Sequence, residues 1–88
     1  MVWKIEFERQ ALKELKSLGR PASMRVLKTL ETRIAQLPDP RELGDPLVGE
    51  WSGYWRYRIG DYRVIARFYD EVMVVSVVKI GHRREVYR

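Results

Sequence analysis

Trp3, Ile5 and Phe7 alternate with Lys4 and Glu6 at the head of the chain, the period-two pattern of a strand with one buried face. The period then changes. In "ERQALKELKSLG" the residues Ala11, Leu12, Leu15 and Leu18 share one helical face, and Gly19 is a suitable stop. Pro21 fits the first turn of a second helix, along which Met24, Leu27, Leu30, Ile34 and Leu37 recur at three- and four-residue spacing. A very short turn makes the two helices an antiparallel pair. Residues 38–53, "PDPRELGDPLVGEWSG", hold three of the four prolines and three of the six glycines, too many breakers for a helix, and read as a long structured loop. Three strand-like runs follow, "YWRYRI", "YRVIARFY" and "VMVVSVVKI", separated by Gly60-Asp61, a recognised hairpin connector, and by Asp70-Glu71. This order predicts an α+β fold: an N-terminal strand, an antiparallel helical hairpin and a three-stranded antiparallel meander, in an antiparallel sheet with both helices on one face. Residues 1–88 are expected to form one domain.

Strand alternation sorts the meander into two faces. Tyr54, Arg56 and Arg58 share one face of the first run, and Trp55, Tyr57 and Ile59 share the other. On the next run Tyr62, Val64, Ala66 and Phe68 form an apolar set opposite Arg63, Ile65, Arg67 and Tyr69. The helices need an apolar face to cover, so Arg56, Arg58, Arg63 and Arg67 are expected on the uncovered one.

Charge sharpens this picture. The net charge is +5, but residues 1–53 hold nine Lys and Arg against eight Asp and Glu, while residues 54–88 hold eight against four. In that last third every basic residue except Lys79 is arginine, whose planar fork suits phosphate. An ordinary solvated face would mix both signs. Clustered arginine points to a polyanion partner. The chain has no cysteine, which removes disulfides and thiolate metal sites. It has no apolar run of membrane-spanning or signal-peptide length, so a cytoplasmic home and no membrane partner are expected.

Several chemistries lack their residues. There is one histidine, and no carboxylate pair stands at ligand spacing on the arginine-bearing strands, so no metal site is expected. Ser17, Ser23, Ser52 and Ser76 have no nucleophile-elbow context, and "GDPLVG" lacks the Lys-Ser/Thr of a phosphate loop. A cofactor-free reaction on a phosphodiester remains. RNA can be cut by its own 2′-hydroxyl when a base, an acid and positive charge are supplied, and arginine, histidine and tyrosine can supply them.

"GYWRYRIGDYRVIARF" followed by "VVKIGHRREVYR", after a helical hairpin, resembles the RelE toxins of the RelE/ParE superfamily over essentially the whole chain. The resemblance implies a small microbial-RNase-like fold, ribosome-dependent cleavage of messenger RNA in the decoding site, and a bacterial or archaeal host. It also implies neutralisation by a RelB-like antitoxin, for which an acidic amphipathic segment would suit a basic toxin face. By position, Arg56 and Arg58 match basic residues that are commonly lysines. Arg63 matches the transition-state arginine, Arg83 the arginine near the leaving group, and Tyr87 the tyrosine cast as base. Arg67 and Arg84 join Arg56 and Arg58 as expected RNA contacts. Arginine stays protonated, so Arg56 and Arg58 position phosphates and cannot act as bases. His82 stands where lysine is common and is the side chain best suited to proton exchange near neutral pH, which leaves the base open between Tyr87 and His82. Val86 is expected to insert as an apolar anchor for Tyr87. Two other readings share the fold: a ParE-like toxin that inhibits gyrase without nuclease chemistry, and a non-enzymatic module that binds RNA or the ribosome.

Overall fold

A computed structural model describes residues 2–84 and 86. The chain runs β1 (Lys4–Phe7), α1 (Arg9–Ser17), α2 (Arg20–Thr29), β2 (Asp45–Pro46), β3 (Trp55–Ile59), β4 (Tyr62–Tyr69) and β5 (Val74–His82). The strands form one sheet in the order β1-β5-β4-β3-β2, with α1 packed on β5 and α2 on α1 and β3. The core is one layer between helices and sheet. Ala11 and Leu15 of α1, and Val26 of α2 with Leu30 beyond it, meet Tyr57, Ile59, Val64, Ala66, Val75, Val77 and Ile80 from the strands. Both helices therefore cover one face, as the alternation requires.

Three features differ from the pattern-based expectation. First, the sheet is mixed: β1 pairs in parallel with β5, with Lys4 beside Val74 and Phe7 beside Val77, because the helical hairpin is the crossover that returns the chain to the sheet. Second, residues 38–53 are not only loop. They contain two 3₁₀ turns and the two-residue β2, which pairs antiparallel with β3 as a fifth strand. Third, α2 ends at Thr29 and continues as a π-helical turn, Leu30–Ile34, closed by Ala35 N–H donating to the Leu30 carbonyl at 2.9 Å. Leu30, Ile34 and Ala35 are buried, while Met24, counted in the predicted stripe, is exposed. The Ala35 carbonyl then accepts from Trp3 N–H at 3.0 Å, linking this turn to the start of β1.

The two hairpin connections also differ. Gly60-Asp61 closes β3 to β4 in two residues, and Gly60 takes the positive φ (59°) that such turns require. Asp70-Glu71 extends to a four-residue connection, in which Asp70–Val72 form a 3₁₀ turn and Met73 adopts a left-handed φ of 53°. Arg41 fastens the 38–53 segment to this second connection. It donates twice to the Asp70 carboxylate, at 2.9 and 2.8 Å, bonds Asp39 at 3.2 Å, and lies over the Phe68 ring. The Asp70 bond leads in raising the guanidinium's pKa above its usual value.

Tyr57 fixes the same segment from inside. Its hydroxyl donates to the Pro40 carbonyl at 2.7 Å, and burial, with a smaller contribution from Asp39, raises its pKa above the usual phenol range. Gly44 passes against the ring, where a Cβ would stand 3.2 Å from Tyr57 Cε1. Tyr57→Phe would leave the buried Pro40 carbonyl without its donor. Urea unfolding should show a loss of about 1–3 kcal/mol, read as a lower midpoint at unchanged m-value; no change would mean that the bond does not hold the loop.

Candidate nucleic-acid interface

The uncovered face is built row by row from the strand registers. Arg58 of β3 stands directly opposite Arg63 of β4, which stands opposite Gly81 of β5. In the next row Asp45, Arg56, Ile65 and Lys79 lie side by side across β2 to β5. Beyond it Arg67 pairs with Ser76, and Ser76 with Glu6 of β1. The structure thus brings Arg56, Arg58, Arg63 and Arg67 onto one face, as alternation predicts.

Arg63 is the best-defined member. Its Nη1 donates to the Gly60 and Tyr62 carbonyls, at 3.0 and 2.9 Å, which pins the guanidinium at the β3–β4 turn. Burial and then the charges of Arg58, Arg56 and Arg83 lower its pKa, with Asp61 opposing. Arg58, Arg56 and Arg83 therefore all lie close enough to act on Arg63. Arginine remains a cation through such a shift, so the result is concentrated positive charge and not a base.

The neighbouring arginines are held by carboxylates at the rim. Asp45 Oδ2 lies 3.2 Å from Arg56 Nη2 and 3.8 Å from Arg58 Nε. Asp61 lies 3.9 Å from Arg83 Nη1, and the Arg83 N–H donates to the Asp61 carbonyl at 2.8 Å. Glu8, at the N-terminal boundary of α1, makes no side-chain cap there and reaches Arg67 at 3.2 Å instead. Arg67 also stacks between Tyr54 and Tyr69, with centroid distances of 5.8 and 5.3 Å. These acidic partners were not singled out from the sequence; Asp45, between a glycine and a proline in a loop-like run, carried no pattern signal.

Alternation places Ile65 on this face. It is 0% exposed, on a face that no helix covers. Its neighbours are Arg56 and Lys79 across the ladder and Arg63 and Arg67 two residues away along β4. The aliphatic stems of basic residues cover apolar surface while their charged heads stay in water. An apolar seat beneath a ring of cations restricts where those heads can go.

His82 is placed differently. A bulge between Ile65 and Ala66 on β4 opposes Lys79 and Val77 on β5, so Val78 is the extra residue and the parity of β5 changes across it. Val75, Val77, Ile80 and His82 consequently face the helices, while Ser76, Lys79 and Gly81 face the arginines. The His82 ring meets Tyr62 edge-on at 6.2 Å and lines a 320 Å³ groove with Glu14, Ser17 and Leu18 of the first helix and its end. His82 Nδ1 accepts the Arg84 N–H at 3.3 Å, which leaves the ring proton on Nε2 in the neutral form. Arg83 and Arg84 are exposed in the turn after β5. Val86 is inserted as expected: it is 1% exposed, donates to the His82 carbonyl at 3.2 Å, and its Cγ2 would meet a Cβ at Gly81 at 3.1 Å. Tyr87 lies outside the described residues.

Among the described residues no group of three or more His, Cys, Asp and Glu could hold a metal ion, and no helix is long and apolar enough to cross a membrane.

Residues 5–87 match the family described as ParE toxin of type II toxin–antitoxin system, parDE. The chain belongs to the RelE/ParE superfamily of type II toxins. The mRNA interferase toxin RelE of Escherichia coli K12 is 32% identical to this toxin over 99% of its length and 92% of the relative's. Toxin RelG of Mycobacterium tuberculosis is 36% identical over 57% of the chain, an alignment that spans 58% of that relative. In structure, the toxin is similar to a chain of the RelBE2 toxin–antitoxin complex of M. tuberculosis, with a TM-score of 0.86 at 25% identity and coverage of 97% and 95%.

The burial of Ile65 generates a prediction for the toxin. Ile65→Ala should cost about 2–5 kcal/mol of stability and Ile65→Val about 0.5–1.5 kcal/mol, as at a core position. Chemical denaturation of both variants would check this. Losses within 0.5 kcal/mol for both, typical of a surface site, would contradict a seated arginine ring.

Proposed function

We propose that this toxin is a ribosome-dependent endoribonuclease that cuts messenger RNA in the decoding site by attack of the RNA's own 2′-hydroxyl, without metal or cofactor. The observation that carries the reading is the direct opposition of Arg58 and Arg63 across the β3–β4 ladder, with Arg56 and Arg83 close by. Like charges directly opposite on adjacent strands destabilise a sheet. A phosphodiester whose charge grows in the transition state is a counterion that makes such an arrangement useful. The E. coli relative's name as an mRNA interferase supports the same chemistry.

In the proposed reaction the 2′-oxygen forms a bond to phosphorus as the bond from phosphorus to the 5′-oxygen breaks. The 2′-proton passes to a base, and the departing 5′-oxygen takes up a proton. Arg63, fixed by two backbone carbonyls, stabilises charge on the non-bridging oxygens, and Arg83 stands near the leaving group. Arg56 and Arg58 hold the phosphate, with Arg67 and Arg84 contacting the RNA backbone. The His82 ring faces the helices and has Nδ1 already engaged, so Tyr87 is assigned the base and His82 the ordering of the turn that carries Arg83 and Arg84. The cytoplasm, where translation occurs, is the proposed location. An antitoxin of the RelB kind is the proposed partner, since the structurally similar RelBE2 assembly is a toxin–antitoxin complex.

A second reading is favoured by the family description itself, which names ParE toxins: inhibition of gyrase by binding alone. The two separate cleanly. Translating ribosomes incubated with the purified toxin should yield messenger RNA ends bearing a 2′,3′-cyclic phosphate or its 3′-phosphate product, and cleavage should persist in EDTA once ribosome integrity is controlled. A 3′-hydroxyl end would refute the 2′-hydroxyl route. Intact messenger together with blocked gyrase supercoiling would favour the ParE-like reading, and intact messenger without gyrase inhibition the binding-only module.

Single-turnover rates should then rank the residues. Arg63→Ala should lose on the order of 100- to 1000-fold while ribosome binding changes little. Tyr87→Phe should lose about 100- to 10,000-fold, the range of general acid–base catalysis, while His82→Gln keeps most activity. A reversed order for the last two would make His82 the base.

A further inference from the structure

We infer that the Asp45 carboxylate holds the place of an RNA phosphate, filling from within the chain a subsite that Arg56 and Arg58 form on the uncovered face. The inference rests on the nucleic-acid reading of that face and adds an internal competitor to it.

One carboxylate oxygen, Oδ2, accepts a hydrogen bond from Arg56 Nη2 at 3.2 Å and lies within ion-pair distance of Arg58 Nε, at 3.8 Å. Convergence of two guanidinium groups on a single anionic oxygen is the arrangement that also suits a phosphate oxygen. Asp45 is also a built feature. It sits opposite Arg56 in the β2–β3 register, and β2 is held there by Leu47 N–H donating to the Tyr54 carbonyl at 3.0 Å. The chain reaches it across the Tyr57 ring at Gly44, with Tyr57 itself bonded to Pro40. The backbone under Asp45 is therefore fixed, while its carboxylate is about half exposed and can leave by rotation of its own side chain. Arg63, in contrast, donates to two main-chain carbonyls, with Asp61 the least of the charges acting on it. The two kinds of site differ in consequence. An incoming backbone must displace Asp45 to engage Arg56 and Arg58, whereas Arg63 presents its charge without exchanging a carboxylate. Asp45 thereby screens the site against weakly bound polyanions and yields to a strand that supplies a phosphate in the same position.

The test uses the full chain and a 2′-O-methyl RNA octamer, which cannot be cleaved, followed by fluorescence anisotropy at stepped salt. Asp45→Asn and Asp45→Ser should each tighten binding roughly two- to fivefold, the range set by an exposed ion pair. Glu71→Gln makes the same charge change at the opposite end of β4 and should alter affinity little at ~0.15 M salt, where screening acts over ~8 Å. In an Arg56→Ala/Arg58→Ala background the Asp45→Asn gain should vanish, because the partners whose release produces it are absent. An equal gain from Glu71→Gln, or a gain that survives loss of both arginines, would reduce the effect to net charge and overturn the inference. Tighter binding of a polyglutamate peptide but not of RNA would also overturn it. Because the probe is inert, a toxin that shows these binding differences yet leaves messenger intact on ribosomes would lose its nuclease assignment and keep its Asp45 subsite.

Discussion

The hydrogen-bonded ladder between β3 and β4 is the constraint on which the rest of the uncovered face depends. It sets Arg58 against Arg63 and Arg56 against Ile65, so repulsion cannot be relieved by separating the backbones. The fold answers it locally. Carboxylates at the rim take up Arg56, Arg58, Arg67 and Arg83, main-chain carbonyls orient Arg63, and the buried Ile65 gives the long side chains an apolar bed. The helices contribute by covering the opposite face, which commits Tyr57, Val64 and Ala66 to the core and leaves the arginines no other side.

Much of this was legible because period-two alternation is a strong signal when one residue type dominates a face. Arg56, Arg58, Arg63 and Arg67 could be assigned to one surface from their spacing, and the helical hairpin from its three- and four-residue spacing. The rest depended on contacts distant in sequence. Nothing local in "VWKIEF" says that its partner is β5 or that the pairing is parallel; that follows from the crossover. The π-helical turn at Leu30–Ile34 adds one residue to a turn and so changes which later positions face the core, Ala35 among them, and the exposure of Met24 earlier in α2 was equally hidden from the spacing. Asp45 gains meaning only when β2 docks on β3, some ten residues further on.

The site was legible to a similar depth. The shared face of Arg56, Arg58, Arg63 and Arg67 agrees with the alternation, and Val86 is inserted as expected. The side of the sheet on which His82 lies was not legible, because "VVSVVKIGH" is apolar on both faces and offers no internal mark of where its parity changes. The bulge at Val78 makes that change.

This bulge has a consequence for comparing relatives. One additional residue in β5 acts on the sheet as a frameshift acts on a reading frame: every position after it is presented to the opposite side. Two relatives that differ only in keeping or losing this residue would align well by similarity and yet display different side chains on the uncovered face from Lys79 onward. A histidine in one and a lysine in another at the same aligned column are then equivalent in sequence without being equivalent in space. Such a change would exchange the side chains beside the arginine cluster and, at Ile80, the core residue beneath it, so both faces of the strand would have to be rebuilt together.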